Sequence, residues 1–246
     1  MITFRWLIAC ILSVLVATVV FGCRPLSHST SSEPVVVRFS FTVDEAVCDQ
    51  VQGKRRPQFA IWLEDFSGEQ VRTVCVTQKT AKGNWGNQTT RPISLPYWVA
   101  RWNKETDTQG DPSAAQPALD AVTCATPQAK FASTFILPRG TRWQYFIEVN
   151  QSFDNNEHFP AAAADGRKDL HGNGPPSIVY TGRITAIPGR TSTPELLGRT
   201  DQFVPTTAIE KDLSGITTAP RLLKDICVAC DNQPAMQDTP AGGKQE

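Results

Sequence analysis

The stretch FAIWLEDFSGEQVRTVCVTQ, residues 59–78, decides the fold. Two runs rich in β-branched and aromatic residues, FAIWLED and VRTVCVTQ, flank Phe66-Ser67-Gly68-Glu69, a short link with a conformationally permissive glycine. The spacing predicts that residues 59–64 and 71–77 pair as an antiparallel hairpin across Gly68, with Ile61 or its register partners turned inward. Upstream, in VVVRFSFTV, the positions Val35, Val37, Phe39, Phe41 and Val43 alternate with Val36, Arg38, Ser40 and Thr42. That period of two belongs to a strand with one buried face.

Further along, KFASTFILP and RWQYFIEVN read as two strands separated by Arg139-Gly140-Thr141, and PSIVYTGRITAI reads as another. Six or more strand candidates with hairpin-like links and few helix patterns predict a mainly β chain. The expected fold is an antiparallel immunoglobulin-like β-sandwich with short helical additions. In PYWVARWNKE, Trp98, Arg101 and Trp102 recur at helical spacing, so one or two turns of helix are expected to lay aromatic rings on the sheet edge as core cover.

The first residues are set aside from the fold. MITFRWLIACILSVLVATVVFGC carries one early cation, Arg5, then an apolar run interrupted only by Ser13 and Thr18, the pattern of a secretory signal. Its end, Val20-Phe21-Gly22-Cys23, is similar to a bacterial lipobox, in which Cys becomes the acylated N-terminus of the mature chain. Lipidation of Cys23 is the expected anchor, and several acyl chains at ~0.8 kcal/mol per buried CH₂ make such attachment effectively permanent. Arg24 follows, not the Asp that retains such proteins in the inner membrane, so the periplasmic side of the outer membrane is the expected destination. The organisation predicted is a lipoprotein signal over 1–22, a Ser-rich tether over 23–34, and a β-sandwich over 35–190. A Pro/Thr-rich extension over 191–246 is expected to hold one short helix in PRLLKDICVACD and a disordered tail.

Charge adds little to partner choice. The chain has 24 Lys+Arg and 24 Asp+Glu, and removing Arg5 with the signal leaves one more acid than base, which argues against a nucleic-acid partner. The expected partners are the membrane, through the lipid, and another envelope protein.

FAIWLEDFSGEQVRTVCV, LDAVTCATP, YFIEVNQSFDNNEHFP and NGPPSIVYTGRI, in that order, resemble the periplasmic proteins grouped as domain of unknown function 2271. The resemblance spans residues 35–187 and implies an immunoglobulin-like fold and a periplasmic location, with no settled activity. Two departures stand out: Cys124 occupies a position that is commonly Gly in that family, and Pro175 precedes Pro176 where Gln is usual. A Cys forced into a left-handed turn would cost roughly 1 kcal/mol, so either the turn is not left-handed or something, such as a disulfide, holds it.

DAVTCAT, residues 120–126, also resembles the Asp-x-x-Ser/Thr-Gly-Ala-Thr motif of flavin transferase substrates, whose last Thr receives FMN through a phosphoester. Asp120, Thr123, Ala125 and Thr126 match, and Cys124 replaces the Gly. The expectation is an unmodified Thr126 in a structural turn served by Asp120 and Thr123. The alternative is a flavinylated electron-transfer protein carrying FMN at Thr126.

Export leaves Cys48, Cys75, Cys124, Cys227 and Cys230 for an oxidising compartment, an odd number with at least one thiol unpaired. Cys227-Val-Ala-Cys230 lacks the second Cys pair or nearby His of a zinc site and the following His of a haem attachment, so a structural disulfide is expected there. Its partners are either local or among Cys48, Cys75 and Cys124. DNNEHF and DGRKDLHG offer Asp154, Glu157, His158, Asp165, Asp169 and His171, but their spacing fits neither an EF-hand nor a zinc motif, and no metal is expected. His28 lies in the tether, and no nucleophile elbow accompanies His158 or His171, so a hydrolase is not the leading class.

Overall fold

The computed structural model describes residues 33–81, 94–106, 122–127, 129–169, 172–203 and 207–232. Cys23, His28, Asp120, His171 and the signal lie outside the described residues, as does the tail from 233. No described helix is long and apolar enough to cross a membrane.

The elements run β1 (Val35–Val43), α1 (Glu45–Cys48), β2 (Gln58–Glu64), β3 (Val71–Thr77), α2 (Gln78–Ala81), α3 (Pro96–Thr106) and β4 (Thr123–Cys124), then β5 (Lys130–Leu137), β6 (Arg142–Asn150), β7 (Ile178–Thr185), β8 (Thr191–Ser192), β9 (Glu195–Arg199), α4 (Ala219–Leu222) and β10 (Leu223–Asn232). They form a mainly β sandwich of two sheets, ordered β5-β1-β10-β8 and β4-β3-β2-β6-β7-β9. Every pairing is antiparallel except that of β3 with the short β4.

The alternation in β1 holds along its length: Val35, Val37, Phe39, Phe41 and Val43 are buried. They meet Phe59, Ile61 and Leu63 of β2 and Tyr145, Ile147 and Val149 of β6 in one core between the sheets. Edge-to-face rings such as Phe39–Tyr145 and Phe41–Phe59 lock the layers. The predicted hairpin forms, with Ile61 opposite Cys75 and Glu64 opposite Val71, and a bulge between Ile61 and Trp62.

Three expectations need revision. β5 and β6 are not a hairpin: β5 joins the first sheet and β6 the second, so Arg139-Gly140-Thr141 carries the chain across the core. Gly140, at φ +82°, makes that turn available. The helix in PYWVARWNKE runs for 11 residues and covers a sheet face, with Trp98 and Trp102 packed in a second core beside Trp62 and Phe146. That cover explains why β2 is buried on both faces.

The third revision concerns the C-terminal region. The sandwich does not stop at 190, because PRLLKDICVACD yields only the short α4 before becoming β10, which inserts between β1 and β8. Val37 lies opposite Cys230 and Phe39 opposite Val228, and the register shifts between Ser40 and Thr42. A strand with neighbours on both sides is integral to its sheet, so the extension supplies part of the fold itself.

Candidate functional site

Polar groups anchor α3 to the sheet at two points. Pro96 at the first helical position lacks an N–H, and the next two amides, of Tyr97 and Trp98, donate to the buried carboxylate of Glu148 on β6 at 3.2 and 2.6 Å. Ser177 donates to the same carboxylate at 2.6 Å and lies 2.8 Å from the Thr200 hydroxyl. Burial pushes the Glu148 carboxyl up to about 7, against the opposing pull of Ser177, the two amides and Arg101. Farther along the helix, Glu105 accepts from the amide and hydroxyl of Thr73, at 2.9 and 2.7 Å, and burial raises its carboxyl too. Neither Glu148 nor Glu105 stood out in the sequence; only Glu148's place within the otherwise apolar run Tyr145–Val149 could have flagged it.

DAVTCAT is described from Val122 onward. β4 pairs parallel with β3, setting Val76 opposite Thr123 and Thr77 opposite Cys124, and Cys124 is bonded to Cys75 with Cα atoms 5.7 Å apart. Ala125 is exposed, Thr126 half-buried and Pro127 buried. The segment fits a covalent flavin poorly. The Thr126 hydroxyl stands two residues beyond a crosslink and a strand pairing, and just ahead of a buried proline.

Among the described residues the other cysteines, Cys48, Cys227 and Cys230, are thiols, so the disulfide expected at Cys227-Val-Ala-Cys230 is not formed. Side chains three residues apart on a strand point to opposite faces. Cys230 faces the core, while Cys227 is half-buried. Cys48 of α1 is also in the core. Burial raises the thiols of Cys48 and Cys230 above their ordinary range.

The two acidic loops fold together near the end of β9. Asn156 accepts from the amides of His158 and Phe159, each at 3.0 Å, and donates to the Gly215 carbonyl at 2.9 Å. Gly215, at φ +81°, backs directly onto His158, where a Cβ would lie 2.4 Å from the His158 Cβ. Asp165 pairs with Arg167 at 2.8 Å, and Asp169 accepts from the amides of Asn173 and Gly174 at 2.9 and 2.8 Å. These carboxylates therefore serve turn chemistry, and among the described residues no three His, Cys, Asp or Glu side chains gather as metal ligands. Asp154 is separate, raised by burial and bonded to Thr218.

What the loops do build is an open cleft of about 390 Å³, with Glu157, His158, Arg167, Arg199 and Phe203 on its walls. Arg199 stacks over Phe159 at 5.3 Å, pairs with Glu210 and donates to the Asp212 carbonyl at 2.7 Å. Arg167 stacks over Phe203 at 5.0 Å. Planar cations fixed on aromatic rings, beside an exposed imidazole and carboxylate, suit recognition of a polar ligand.

Set against known proteins, the chain matches no family model, no curated protein and no solved structure.

Proposed function

We propose that this is an exported protein, anchored through lipid on Cys23 to the periplasmic face of a bacterial outer membrane, and that it works there as a binding or assembly module. The observation that carries the reading is the Cys75–Cys124 disulfide, since such crosslinks form and persist in oxidising compartments. The apolar run ending in VFGC supplies the export route and the anchor. The loop-end cleft supplies a binding surface, with Arg167 and Arg199 already neutralised by acidic neighbours and held for recognition.

Kinship with domain of unknown function 2271, and an immunoglobulin-like arrangement, form part of the proposal. In support, the resembling segments fall on β2 and β3, β4, β6 and β7, which are neighbours in a single sheet. Covalent flavin at Thr126 ranks lower because the acceptor segment is clamped to β3.

The test is a peptide map, without reduction, of protein recovered from the membrane fraction of its host. A crosslinked peptide pair containing Cys75 and Cys124 supports the reading. Cys75 and Cys124 recovered as free thiols, with the protein in the soluble cytoplasmic fraction, would sink it.

A further inference from the structure

Two arginines on a part of the six-stranded sheet left open by the described residues are gathered onto one exposed ring. Phe66, in the β2–β3 turn, is 47% exposed, and the guanidiniums of Arg142 and Arg183 lie 5.0 and 5.5 Å from its centroid. Arg142 on β6 is opposite Thr185 and Arg183 on β7 is opposite Gln144, so the cations are diagonal neighbours on the same face. Neither makes an ion pair among the described residues. Like charges on adjacent strands repel, and side chains of such length would ordinarily diverge into water. Here each guanidinium is drawn to the same ring by a favourable cation–π contact, so two cations are kept near one another on this face.

Arg183 also lines an open cleft of about 420 Å³, shared with Gln144, Thr181, Ser192, Thr193 and Glu195. Its floor is rigid. Gly182 is opposite Tyr145, whose ring fills the place a Cβ would take, and the Tyr145 hydroxyl is 2.9 Å from that of Ser192. The Gln144 amide donates to Thr181 at 3.0 Å, which fixes it across the strands. The lining thus offers hydroxyls, an amide and one carboxylate acceptor beside the Arg183 guanidinium, whose planar fork matches a carboxylate or phosphate in geometry.

We infer that this platform and cleft bind an anionic polyol, an acidic saccharide whose carboxylate or phosphate pairs with Arg183, in the positive field that Arg142 adds, while its hydroxyls lie against Gln144, Thr181, Ser192 and Glu195. The inference goes beyond the envelope reading and holds wherever the protein resides. It is tested by calorimetric titration of the purified protein with trigalacturonate, with glucose 6-phosphate and with a neutral galactose trisaccharide. Loss of one charge-assisted contact predicts that Arg183→Gln weakens acidic-sugar binding about tenfold or more. Phe66→Ala, which releases both cations, should weaken it less. Whichever acidic sugar binds identifies the anion, and circular dichroism of Arg183→Gln should match the wild type. No heat from either acidic sugar at millimolar concentration, equal affinity for the neutral trisaccharide, or unchanged affinity in Arg183→Gln would each overturn the inference.

Discussion

Glu148 accepts a 2.6 Å hydrogen bond from the backbone amide of Trp98, so a carboxylate buried in one strand caps a helix some 50 residues earlier in the chain. The contact joins the helix to the sheet at the point where the helix dipole favours negative charge. Replacing Glu148 with Ala leaves two amides and the Ser177 hydroxyl without that acceptor, and should destabilise the fold by about 2–4 kcal/mol in urea titrations. An unchanged midpoint would remove the capping role.

The same group makes stability depend on pH. The folded state holds the Glu148 proton up to about 7, against an ordinary value of 4.5, so folding takes up a proton in that window. This contribution is greatest below the ordinary value and is lost as pH rises through about 7. Glu148→Gln cannot titrate, so the melting temperature of wild type minus that of Glu148→Gln should fall between about pH 5 and pH 8. A flat or rising difference contradicts the assignment.

The Cys75–Cys124 crosslink closes a sequence separation of 49 residues, for which chain entropy predicts about 4 kcal/mol as an upper figure. Cys75→Ala/Cys124→Ala should lower the unfolding free energy by about 2–4 kcal/mol and leave the sandwich folded. Stability equal to the wild type would show that the bond contributes nothing.

How legible this was in the sequence depended on the local pattern. β1, β2 and β3 declared themselves because each packs without a break in phase across its length or is bounded by a clear turn. β10 did not. Lys224 and Asp225 are both exposed, Asp225 sits at φ +54°, and Leu223, Ile226 and Cys230 consequently recur at spacings that mimic a helix. The crossing of β5 to β6 was invisible because a short Gly turn serves a hairpin and an inter-sheet link equally well. The loop-end cleft was legible as a set of polar residues, but its partners Arg199 and Phe203 lie far along the chain, where only tertiary packing brings them.

Thiol exposure gives a further check. Alkylation of unfolded, unreduced protein should count three thiols at Cys48, Cys227 and Cys230, apart from those nearer the N-terminus. In the native state Cys227 should react first, since Cys48 and Cys230 are buried. A Cys227–Cys230 crosslink in the peptide map would contradict the strand geometry of β10.

Thr126 is expected to stay unmodified. Intact mass after co-expression with a flavin transferase should show no FMN increment on the wild type. An increment that disappears in Thr126→Ala would promote the electron-carrier reading over the binding module.

Lipid attachment at Cys23 is tested by comparing wild type with Cys23→Ser in a Gram-negative host fed an alkyne fatty acid. The wild type should carry the label and sediment with outer membranes, while Cys23→Ser should lose both. Equal labelling of the two forms, or wild type that remains soluble and unlabelled, would contradict it.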